Sequence, residues 1–381
     1  MKVVHVCVDE KFIDCAINAF NKLEGVDSYY FVYTQNQTLK YIKNKDVLIF
    51  NSETELVDAV NKAKCAYVII HSLCLNYAHI LQIKPKIIWN SWGFDIYSDC
   101  FDSIKKAIPL SLYKPISRNV LKSLEKKSFE EKIFFLLKRI KKKIVDERLY
   151  KAVVHKAAYL STIIPPEYDL IHKQYKHIKF CPFRYLDDLK EEDFYTPPKE
   201  NENVDAKKIL LGNSNDPSNN HLDILHKLNS LNKKYEVIIP FSYPNKATKY
   251  IEYVLNNSSK FDNLKITFLR DFMSMDRYFE ILKSCQSAIF GHIRQQAVGN
   301  VSGMINLGKK VFLYEDSTLY SYYKKEGYKI FSIDHDLEAN NIEVPLNIND
   351  KKANHQKNMA SRNYSNFIKK LQSFFDNLPN D

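Results

Sequence analysis

The polar run in LLGNSNDPSNNHLDIL (210–225) holds the densest group of side chains suited to binding a ligand. An apolar strand is predicted to end at Gly212, and a helix is predicted to begin near residues 218–220. Free backbone N–H groups and the dipole at a helix start favour an anion, and Ser or Asn side chains can add donors. A helix cap explains one of these side chains but not the whole set. We interpret the run as a phosphate or sugar site formed by Gly212, Asn213, Ser214, Ser218, Asn219, Asn220 and His221.

A second candidate site lies in AIFGHIRQQAVGNVSGMINLGKKVFLYED (288–316), where a predicted strand again ends at a glycine. Arg294 could neutralise a diphosphate, and the two glutamines after it could bond sugar hydroxyls. A solvated helix face is the alternative for this pattern. Glu315, at the end of the next strand, is placed to accept bonds from sugar hydroxyls, and a surface ion pair is its alternative. The other candidates in this run are His292, Gln295, Gln296, Gly299 and Asn300.

The motif PFSYP (240–244) ends a further predicted strand with a serine and a tyrosine between two prolines. Prolines restrict the backbone, so a rigid turn explains the pattern without a ligand. The alternative is that Ser242 and Tyr243 contact the base or the sugar of a ligand.

The first half of the chain offers acceptor and base candidates in KIIWNSWGFDIYSD (86–99). Trp92 and Tyr97 are aromatic platforms of the kind that bind sugars. Asp95 could act as a general base toward an acceptor hydroxyl, and a loop cap is the alternative for it. His71, at the end of AYVIIHS, is the competing base, and a core histidine is its alternative.

Several chemistries lack their motifs in this sequence. There is no GxxxxGK[ST], early GxGxxG, HExxH or GxSxG, and no DxD pair flanked by apolar strands. No metal site is therefore expected, and a leaving diphosphate would be stabilised by helix dipoles, Arg294 and amide donors. The seven cysteines show no CxxC spacing, which argues against a zinc knuckle and favours a reducing compartment.

The elements that would position these residues form two series of strands alternating with helices. Such continuous apolar strands separated by helices predict parallel sheets covered on both faces, with ligands at the carboxyl ends of the strands. We predict an N-terminal domain over 1–190, a C-terminal domain over 191–350 and a C-terminal helix over 351–381. The predicted strands are 3–8, 28–33, 47–50, 66–70 and 86–89, followed by 208–213, 235–242, 265–269, 287–291 and 309–315.

The net charge of +11 is concentrated in residues 118–156, which carry thirteen Lys or Arg against five Asp or Glu and thus a net +8. An ordinary amphipathic helix packed on its domain is one interpretation. The other is an interfacial helix that binds an anionic membrane. No signal peptide or membrane-spanning run is evident, so a cytoplasmic protein with peripheral membrane contact is expected. The membrane candidates are Phe134, Leu137, Lys138, Arg139, Lys141, Lys142 and Lys143.

The motifs GNSNDPSNNH, IPFSYP, FMSMDRYFEILKSC (272–285) and HIRQQAVGN, with WGFDIY in the first half, resemble the family of 4-acetamido-4,6-dideoxygalactose transferases. This family, glycosyltransferase family 56, moves N-acetylfucosamine from a dTDP donor to a lipid-linked disaccharide. The resemblance implies a GT-B fold, in which two Rossmann-like doubly wound α/β domains face each other across a cleft. It also implies that the N-terminal domain binds the acceptor and the C-terminal domain binds the nucleotide sugar.

We therefore expect a metal-independent glycosyltransferase that acts on a polyprenyl-diphosphate-linked oligosaccharide, with retention or inversion left open. The resemblance places it at the cytoplasmic face of the bacterial inner membrane, in synthesis of common antigen, O-antigen or capsule, with no nucleic acid partner. The sequence departs from the family pattern at Gly291-His292 and near Asn215, which bear on the donor sugar. The alternatives are a basic nucleic-acid-binding α/β protein, which the pI near 9.0 motivates, and an inactive sugar-nucleotide-binding scaffold.

Overall fold

A computed structural model describes residues 1–36, 38–97, 112–124, 145–186, 205–244 and 246–379 of the chain. The chain divides into two compact units. The first unit comprises residues 1–109, 129–189 and 362–381, and the second unit comprises residues 110–128 and 190–361. Within the described ranges, no helix is both long enough and apolar enough to cross a membrane.

The first unit contains a parallel sheet of seven strands. These are β1 (Lys2–Val8), β2 (Asp27–Tyr33), β3 (Val47–Phe50), β4 (Tyr67–His71), β5 (Lys86–Asn90), β6 (Ala157–Ser161) and β7 (Lys179–Phe180). They lie in the order β3-β2-β1-β4-β5-β6-β7. Every residue of β4 is buried, as its unbroken apolar sequence requires of a strand with helices over both faces.

The helices of the first unit cover the two faces of this sheet. They are α1 (Ile13–Phe20), α2 (Glu53–Lys62), α3 (Tyr77–Ile80), α5 (residues 145–156), α6 (Pro165–His172) and α14 (Tyr364–Asp376). The α14 helix presents Phe367, Leu371 and Phe375 at helical spacing, and these side chains join a buried cluster that contains Phe20 and Phe183. The last described helix of the chain therefore completes the core of the first unit.

The second unit contains a parallel sheet of six strands. These are β8 (Asp205–Leu211), β9 (Tyr235–Pro240), β10 (Leu264–Leu269), β11 (Cys285–Phe290), β12 (Lys310–Leu313) and β13 (Phe331–Ser332), in the order β10-β9-β8-β11-β12-β13. Its helices are α4 (Pro115–Leu124), α7 (His221–Ser230), α8 (Thr248–Asn257), α9 (Met275–Ser284), α10 (Val298–Asn306), α11 (Thr318–Lys325), α12 (Ala339–Glu343) and α13 (Ile348–Ser361).

Each sheet has one point where the strand order reverses. In the first unit the chain moves from β1 to one side and returns to place β4 on the other side, and β8 and β11 do the same in the second unit. The loops after such strands separate at the carboxyl edge and leave a crevice, which is the usual ligand site of open α/β sheets. The two polar loops identified in the sequence follow β8 and β11, so they meet at this crevice.

The prediction of two doubly wound α/β domains is confirmed, but two boundaries differ from the prediction. The predicted C-terminal helix over 351–381 is two helices, because Asn363 caps a new helix by accepting a bond from the Asn366 N–H at 2.8 Å. The first of these helices belongs to the second unit and the second to the first unit. The basic segment over 118–156, which we predicted as an insertion in the N-terminal domain, is also divided, since residues 118–124 lie in α4 of the second unit.

A carboxylate of the second unit caps the start of the α4 helix. Asp223 in α7 accepts bonds from the Ile116 and Ser117 N–H groups, both at 2.9 Å, at the start of α4. Val120 and Leu124 pack on the core of the second unit. Residues 118–124 at the start of the basic segment thus lie in a helix that packs on the second unit, whereas residues 125–144 of the segment lie outside the described residues.

We predict that Asp223→Ala loosens α4, because it removes both acceptors of the N–H groups at the start of that helix. The loss should be about 1–2 kcal/mol of local stability, in the range of other helix caps. Hydrogen exchange of residues 112–124 should quicken at least roughly fivefold, by the usual conversion of free energy to rate. The exposed Asp262 provides the matched control, and equal exchange in Asp223→Ala and Asp262→Ala would contradict the assigned role.

Candidate functional site

Loop 212–221 begins where β8 ends, and Asn219 forms its framework. Gly212 has a φ of +69°, and a Cβ there would lie 3.0 Å from Asn219 Oδ1. That oxygen accepts a bond from the Asn213 N–H at 3.3 Å, and Asn219 Nδ2 donates to Ser214 O at 3.1 Å. Asn219 is fully buried. Its amide holds the loop in shape, which differs from the ligand contact predicted from the sequence.

Asn220 joins this loop to its neighbours. Its backbone is left-handed, with φ 52° and ψ 40°, a conformation that Asn tolerates better than most residues. Its Nδ2 donates to Gly291 O at 2.6 Å, and its Oδ1 accepts a bond from the Lys114 N–H at 2.7 Å. The predicted ligand role of Asn220 is therefore replaced by a structural one, because its amide is used within the protein.

Gly291 allows the loops after β8 and β11 to touch. A Cβ at this position would lie 2.4 Å from the backbone oxygen of Asn219, a distance that real Cβ atoms essentially never show. Any side chain here would push the loops apart. The sequence analysis placed Gly291 at a strand end but did not count it among the site residues, because close approach depends on a tertiary contact.

Side-chain bonds complete the connection between the two loops. Gln296 Nε2 donates to Asn213 Oδ1 at 2.8 Å, and Gln296 Oε1 lies 2.9 Å from Ser218 Oγ. The Ser218 hydroxyl also lies 2.5 Å from Asp216 Oδ1, which caps the short 3-10 turn at Pro217–Asn219. The predicted site residues of the two loops are thus brought together, and several of them hold each other in place.

His292 and Arg294 remain after these structural bonds are assigned. His292 is fully buried, and among the described residues neither ring nitrogen has a well-aligned hydrogen-bond partner. Burial, with a contribution from the neighbouring Arg294 charge, lowers the pKa of His292 to about 3. The half-buried Arg294 guanidinium makes a weak bond to Gln295 O at 3.3 Å and no ion pair within the described part of the chain. Most of the hydrogen-bonding capacity of these two neighbouring side chains is therefore unused within the described residues.

The start of α10 lies directly after these residues. Ala297 takes a left-handed φ of 56°, and the helix runs from Val298. Gly299 is exposed, and a Cβ there would meet nothing within 4 Å, so it does not serve close packing within the protein. Asn300 is half-buried in the same first turn. The open helix start presents free N–H groups beside Arg294, as an anion site requires.

His221 is bound by the loop that precedes it. Its Nε2 lies 3.0 Å from Ser214 O, so this nitrogen carries the proton and donates to the carbonyl. Burial lowers the pKa of His221 to about 4. The neutral ring therefore fixes the position of Ser214, whose hydroxyl is also 3.0 Å from Asn219 Nδ2.

The loops after β9 and β12 lie at the same edge of the sheet. Asn215 ties the first of them to loop 212–221, since its N–H donates to Tyr243 O and its Nδ2 to Phe241 O, both at 2.8 Å. Tyr243 is 70% exposed to solvent. Glu315 follows β12, and its carboxylate is 3.7 Å from the exposed His335. Ser242, Tyr243 and Glu315 thus lie where the sequence predicted them.

Asp95 in the first unit is saturated with hydrogen bonds. Its Oδ2 accepts from Trp89 Nε1 at 2.7 Å and from the Leu73 N–H at 3.1 Å. Its Oδ1 accepts from Ser91 Oγ at 3.1 Å and from the Trp92 N–H at 3.0 Å. These four donors occupy the acceptor positions of a carboxylate that is 2% exposed. Burial raises the pKa of Asp95, and the bonds oppose that shift. The geometry favours the loop-capping alternative over a general base.

The other first-unit candidates lie near this loop in different environments. Tyr97 is only 8% exposed, so it cannot offer a ring face to a sugar as predicted, whereas Phe94 is 50% exposed. Trp92 is half-buried, and its Nε1 donates to Tyr185 Oη at 2.7 Å. His71 is fully buried and contacts a second histidine, His5, which the sequence analysis did not consider.

The membrane candidates Phe134, Leu137, Lys138, Arg139, Lys141, Lys142 and Lys143 lie outside the described residues. Within those residues no group of three or more His, Cys, Asp or Glu side chains is arranged to hold a metal ion.

Solved structures share the fold of the whole chain at low identity. Anabaena HepE in complex with UDP aligns with a TM-score of 0.62 at 8% identity, over 99% of this chain and 100% of that chain. Sucrose-phosphate synthase from Thermosynechococcus elongatus aligns with a TM-score of 0.58 at 9% identity, over 99% and 98%. The UDP-forming trehalose-phosphate synthase from Burkholderia vietnamiensis aligns with a TM-score of 0.57 at 8% identity, over 98% of each chain. The fold is that of GT-B glycosyltransferases.

A family model narrows this class. The model described as 4-alpha-L-fucosyltransferase glycosyl transferase group 56 matches residues 124–369, more than half of the chain. The chain therefore belongs to glycosyltransferase group 56 and is a glycosyltransferase. The family, the GT-B fold and the enzyme class predicted from the sequence are confirmed.

We predict that Gly291→Ala lowers the free energy of unfolding by about 2–3 kcal/mol, because the new methyl group overlaps the Asn219 backbone. Chemical denaturation followed by circular dichroism measures this loss. Gly303→Ala is the matched control. Gly303 lies inside α10, and a Cβ there would lie 4.0 Å from Leu282 Cδ1, which is ordinary contact. That variant should gain about 0.5–1 kcal/mol of helix stability. Equal stability of the two variants would contradict the close approach at Gly291.

We predict that the chain loses stability as the pH falls from about 6.5 toward 4, because the buried neutral histidines take up protons only when it unfolds. Their pKa values are depressed in the folded state, so the stability is complete above pH 6.5. Each such histidine should cost about 1.4 kcal/mol per pH unit below that point. The His221→Gln variant keeps a donor for Ser214 O. In this variant the difference in free energy of unfolding between pH 7 and pH 5 should be smaller than in the wild type by about 2 kcal/mol. An unchanged difference would contradict the buried neutral state of His221.

Proposed function

We propose that the second unit binds the diphosphate of a nucleotide sugar at His292, Arg294 and the start of α10. The main support is that the buried His292 ring has no well-aligned partner within the described residues, beside a guanidinium without an ion pair. Burying polar groups without partners is costly, so such a pair is expected to meet an acceptor that arrives with a ligand. A diphosphate supplies both the oxygens and the negative charge.

The same groups would assist the departure of the diphosphate. Negative charge grows on the leaving phosphate oxygens as the sugar–oxygen bond breaks. A fixed guanidinium and helix N–H groups stabilise that charge because they already point at it. His292, whose pKa burial and Arg294 hold near 3 in the free protein, would take up a proton when the diphosphate binds. We propose that these groups serve in place of a divalent cation.

We propose that the exposed Tyr243 ring stacks on the nucleotide base and that Glu315 and Gln295 accept or donate bonds at the sugar hydroxyls. Tyr243 is anchored through its backbone by Asn215, and its side chain is 70% exposed. Glu315 is half-exposed and follows the strand next to β11, so it lies at the same sheet edge as His292.

We propose a dTDP-linked acetamido-dideoxy sugar as the donor and a polyprenyl-diphosphate-linked oligosaccharide as the acceptor. The family description and the motif resemblance support this assignment, while the HepE complexes support a pyrimidine nucleotide more generally. The net charge of +8 over residues 118–156 supports peripheral binding to the anionic cytoplasmic face of a bacterial inner membrane. The product would serve common antigen, O-antigen or capsule synthesis.

We predict that dTDP binds the full chain and that Arg294→Ala weakens binding by roughly 10–150-fold, the worth of a charged hydrogen bond. Arg277 in α9 is exposed, and Arg277→Ala is the matched control. This variant should bind dTDP with the affinity of the wild type. Isothermal titration of dTDP, UDP and GDP gives the affinities and identifies the preferred base. Titration in two buffers of different ionisation enthalpy should show proton uptake near pH 7, which His292→Gln should abolish.

Equal dTDP affinity in Arg294→Ala and Arg277→Ala would contradict the proposed site. Salt-dependent binding of DNA or RNA, without nucleotide binding, would favour the nucleic-acid-binding alternative. Nucleotide binding without sugar transfer to any lipid-linked acceptor would favour the inactive scaffold.

A further inference from the structure

A chain of hydrogen bonds runs through the first unit and joins two buried histidines. Trp92 Nε1 lies 2.7 Å from Tyr185 Oη, and Tyr185 Oη lies 2.5 Å from His71 Nδ1. His71 Nε2 lies 2.9 Å from His5 Nδ1, and His5 Nε2 lies 3.3 Å from Ser28 Oγ. Both histidines are fully buried, whereas Tyr185 and Ser28, which flank the two histidines, are partly exposed. We call these five residues the histidine chain.

The chain has two neutral arrangements in which every bond is made. The Trp92 indole can only donate, so Tyr185 Oη always accepts from it. In the first arrangement Tyr185 donates to His71 Nδ1, and each histidine carries its proton on Nε2. In the second arrangement His71 donates to Tyr185, and each histidine carries its proton on Nδ1. Moving one proton along each link, while Tyr185 Oη takes up one proton from outside and Ser28 Oγ releases one, converts the first arrangement into the second without creating a charge.

The position of the chain is that of a ligand site. His71 is the last residue of β4, and His5 lies on β1, so the chain sits at the point where the strand order of this sheet reverses. Asn90 is the register neighbour of His71 on β5. It is 1% exposed, and neither its Oδ1 nor its Nδ2 has a partner within the described part of the chain. An unpartnered buried amide beside the chain points to a ligand with hydroxyl groups.

Aromatic rings surround the open end of the chain. The Tyr185 ring lies 5.9 Å from Phe12 and 6.2 Å from Trp92, between ring centroids. Phe12 and Phe94 are 42% and 50% exposed. Exposed aromatic faces next to polar groups are suited to a sugar, which presents apolar C–H groups and hydroxyls together.

Electrostatics keep the chain neutral. Burial lowers the pKa of His71 to about 3. Burial also lowers the pKa of His5, with a smaller contribution from the neighbouring His71. Burial raises the pKa of Tyr185, with smaller contributions from Cys7, Asp95 and Cys74. Neither an imidazolium nor a phenolate is therefore stable here near pH 7. A proton can cross the chain only by the concerted shift between its two neutral arrangements.

We propose, on the basis of the glycosyl transfer proposed above, that Tyr185 takes the proton of the acceptor hydroxyl and passes its own proton into the histidine chain. The acceptor oxygen bonds to the sugar carbon as the carbon–oxygen bond to the diphosphate breaks, and the electron pair leaves with the diphosphate. The hydroxyl proton goes to Tyr185 Oη, the Tyr185 proton to His71 Nδ1 and the His71 proton to His5 Nδ1. The His5 proton goes to Ser28 Oγ, and the Ser28 proton goes to water.

The reverse shift resets the chain after the product leaves. Water supplies a proton at Ser28, and Tyr185 releases one to water at the carboxyl edge of the sheet. Tyr185 is then the catalytic residue, because it touches the substrate. His71, His5 and Trp92 are positioning residues that act through it, and Asn90 orients the acceptor sugar.

Tyr185→Phe tests the proposal, with dTDP-N-acetylfucosamine as donor and a synthetic polyprenyl-diphosphate-linked disaccharide as acceptor. The expected result is a kcat lower by roughly 10²–10⁴-fold, the usual worth of a general base, with an unchanged dTDP affinity. Tyr168→Phe is the matched control, since Tyr168 also contacts a histidine of this unit, His172 Nδ1 at 3.1 Å. A kcat within threefold of that control would overturn the proposal. Loss of dTDP binding by the wild type would instead count against the proposed function.

A double-mutant cycle separates proton transfer from simple packing. His71→Gln can accept from Tyr185 and donate to His5, but it cannot pass a proton through a ring. It should lower kcat about as much as Tyr185→Phe does, and the double variant should lose no more than either, because the groups act as one unit. If the kcat losses of the two single variants multiplied in the double variant, the proposed coupling between Tyr185 and His71 would be overturned.

Nuclear magnetic resonance of the full-length protein with ¹⁵N-labelled histidine tests the histidine chain without any substrate. His5 and His71 should both be neutral from pH 5 to pH 8 and should share the same tautomer. Opposite tautomers, or an imidazolium at either residue in this range, would overturn the proposal even where the enzyme assay shows no turnover.

Discussion

The contact between Gly291 and the backbone of Asn219 is the constraint on which the second unit's site depends. It brings together the loops after β8 and β11, two strands that are neighbours in the sheet but are separated by three helices and two strands along the chain. Once the loops touch, Asn220 can bond Gly291 O and Gln296 can bond Asn213. These bonds consume the polar groups that a ligand would otherwise meet. His292, whose ring nitrogens lack well-aligned partners in the described residues, and Arg294, which makes one weak bond, are left for a ligand.

Both units keep buried histidines neutral, and these histidines have three kinds of partner. His221 is a permanent donor to a backbone carbonyl and thus a structural group. His292 has ring nitrogens without well-aligned partners in the described residues, which suits a group that acquires its partner from a ligand. His5 and His71 bond to each other and form a path whose ends are polar and partly exposed. The same desolvation lowers all four pKa values, so the difference in role comes from the partners.

The periodicity of the sequence was sufficient to predict ten of the thirteen described strands, their parallel arrangement and the loops at the carboxyl edges of the sheets. The strand β6 follows α5 without a break and was not predicted. Apolar runs such as YVII in β4 indicate a strand that is buried on both faces. A strand followed by Gly and polar residues indicates the carboxyl edge of a sheet. Short strands such as β7 and β13, each of two residues, carry too little pattern to be predicted. The division of the C-terminal tail was missed because a helical period does not show that Asn363 interrupts the helix.

The roles of single polar residues were predicted less well, because those roles depend on tertiary partners. Asn219, Asn220 and Asp95 have the residue types of ligand-binding or catalytic groups, yet each is occupied by bonds within its own unit. Tyr185 and His5 lie in strands and loops that gave no chemical motif. Only the fold brings them to His71, and a polar residue within an apolar strand, as His5 is in VVHVCV, was the one signal available.

Hydrogen exchange of the full chain with and without saturating dTDP tests the central claim most directly. We predict slower exchange in residues 291–300, where the diphosphate would bind at His292, Arg294 and the start of α10. We also predict slower exchange in residues 212–221, because the bonds of Asn220 to Gly291 and of Gln296 to Asn213 join that loop to the site. Exchange that slows in other segments while both loops remain unchanged would contradict it.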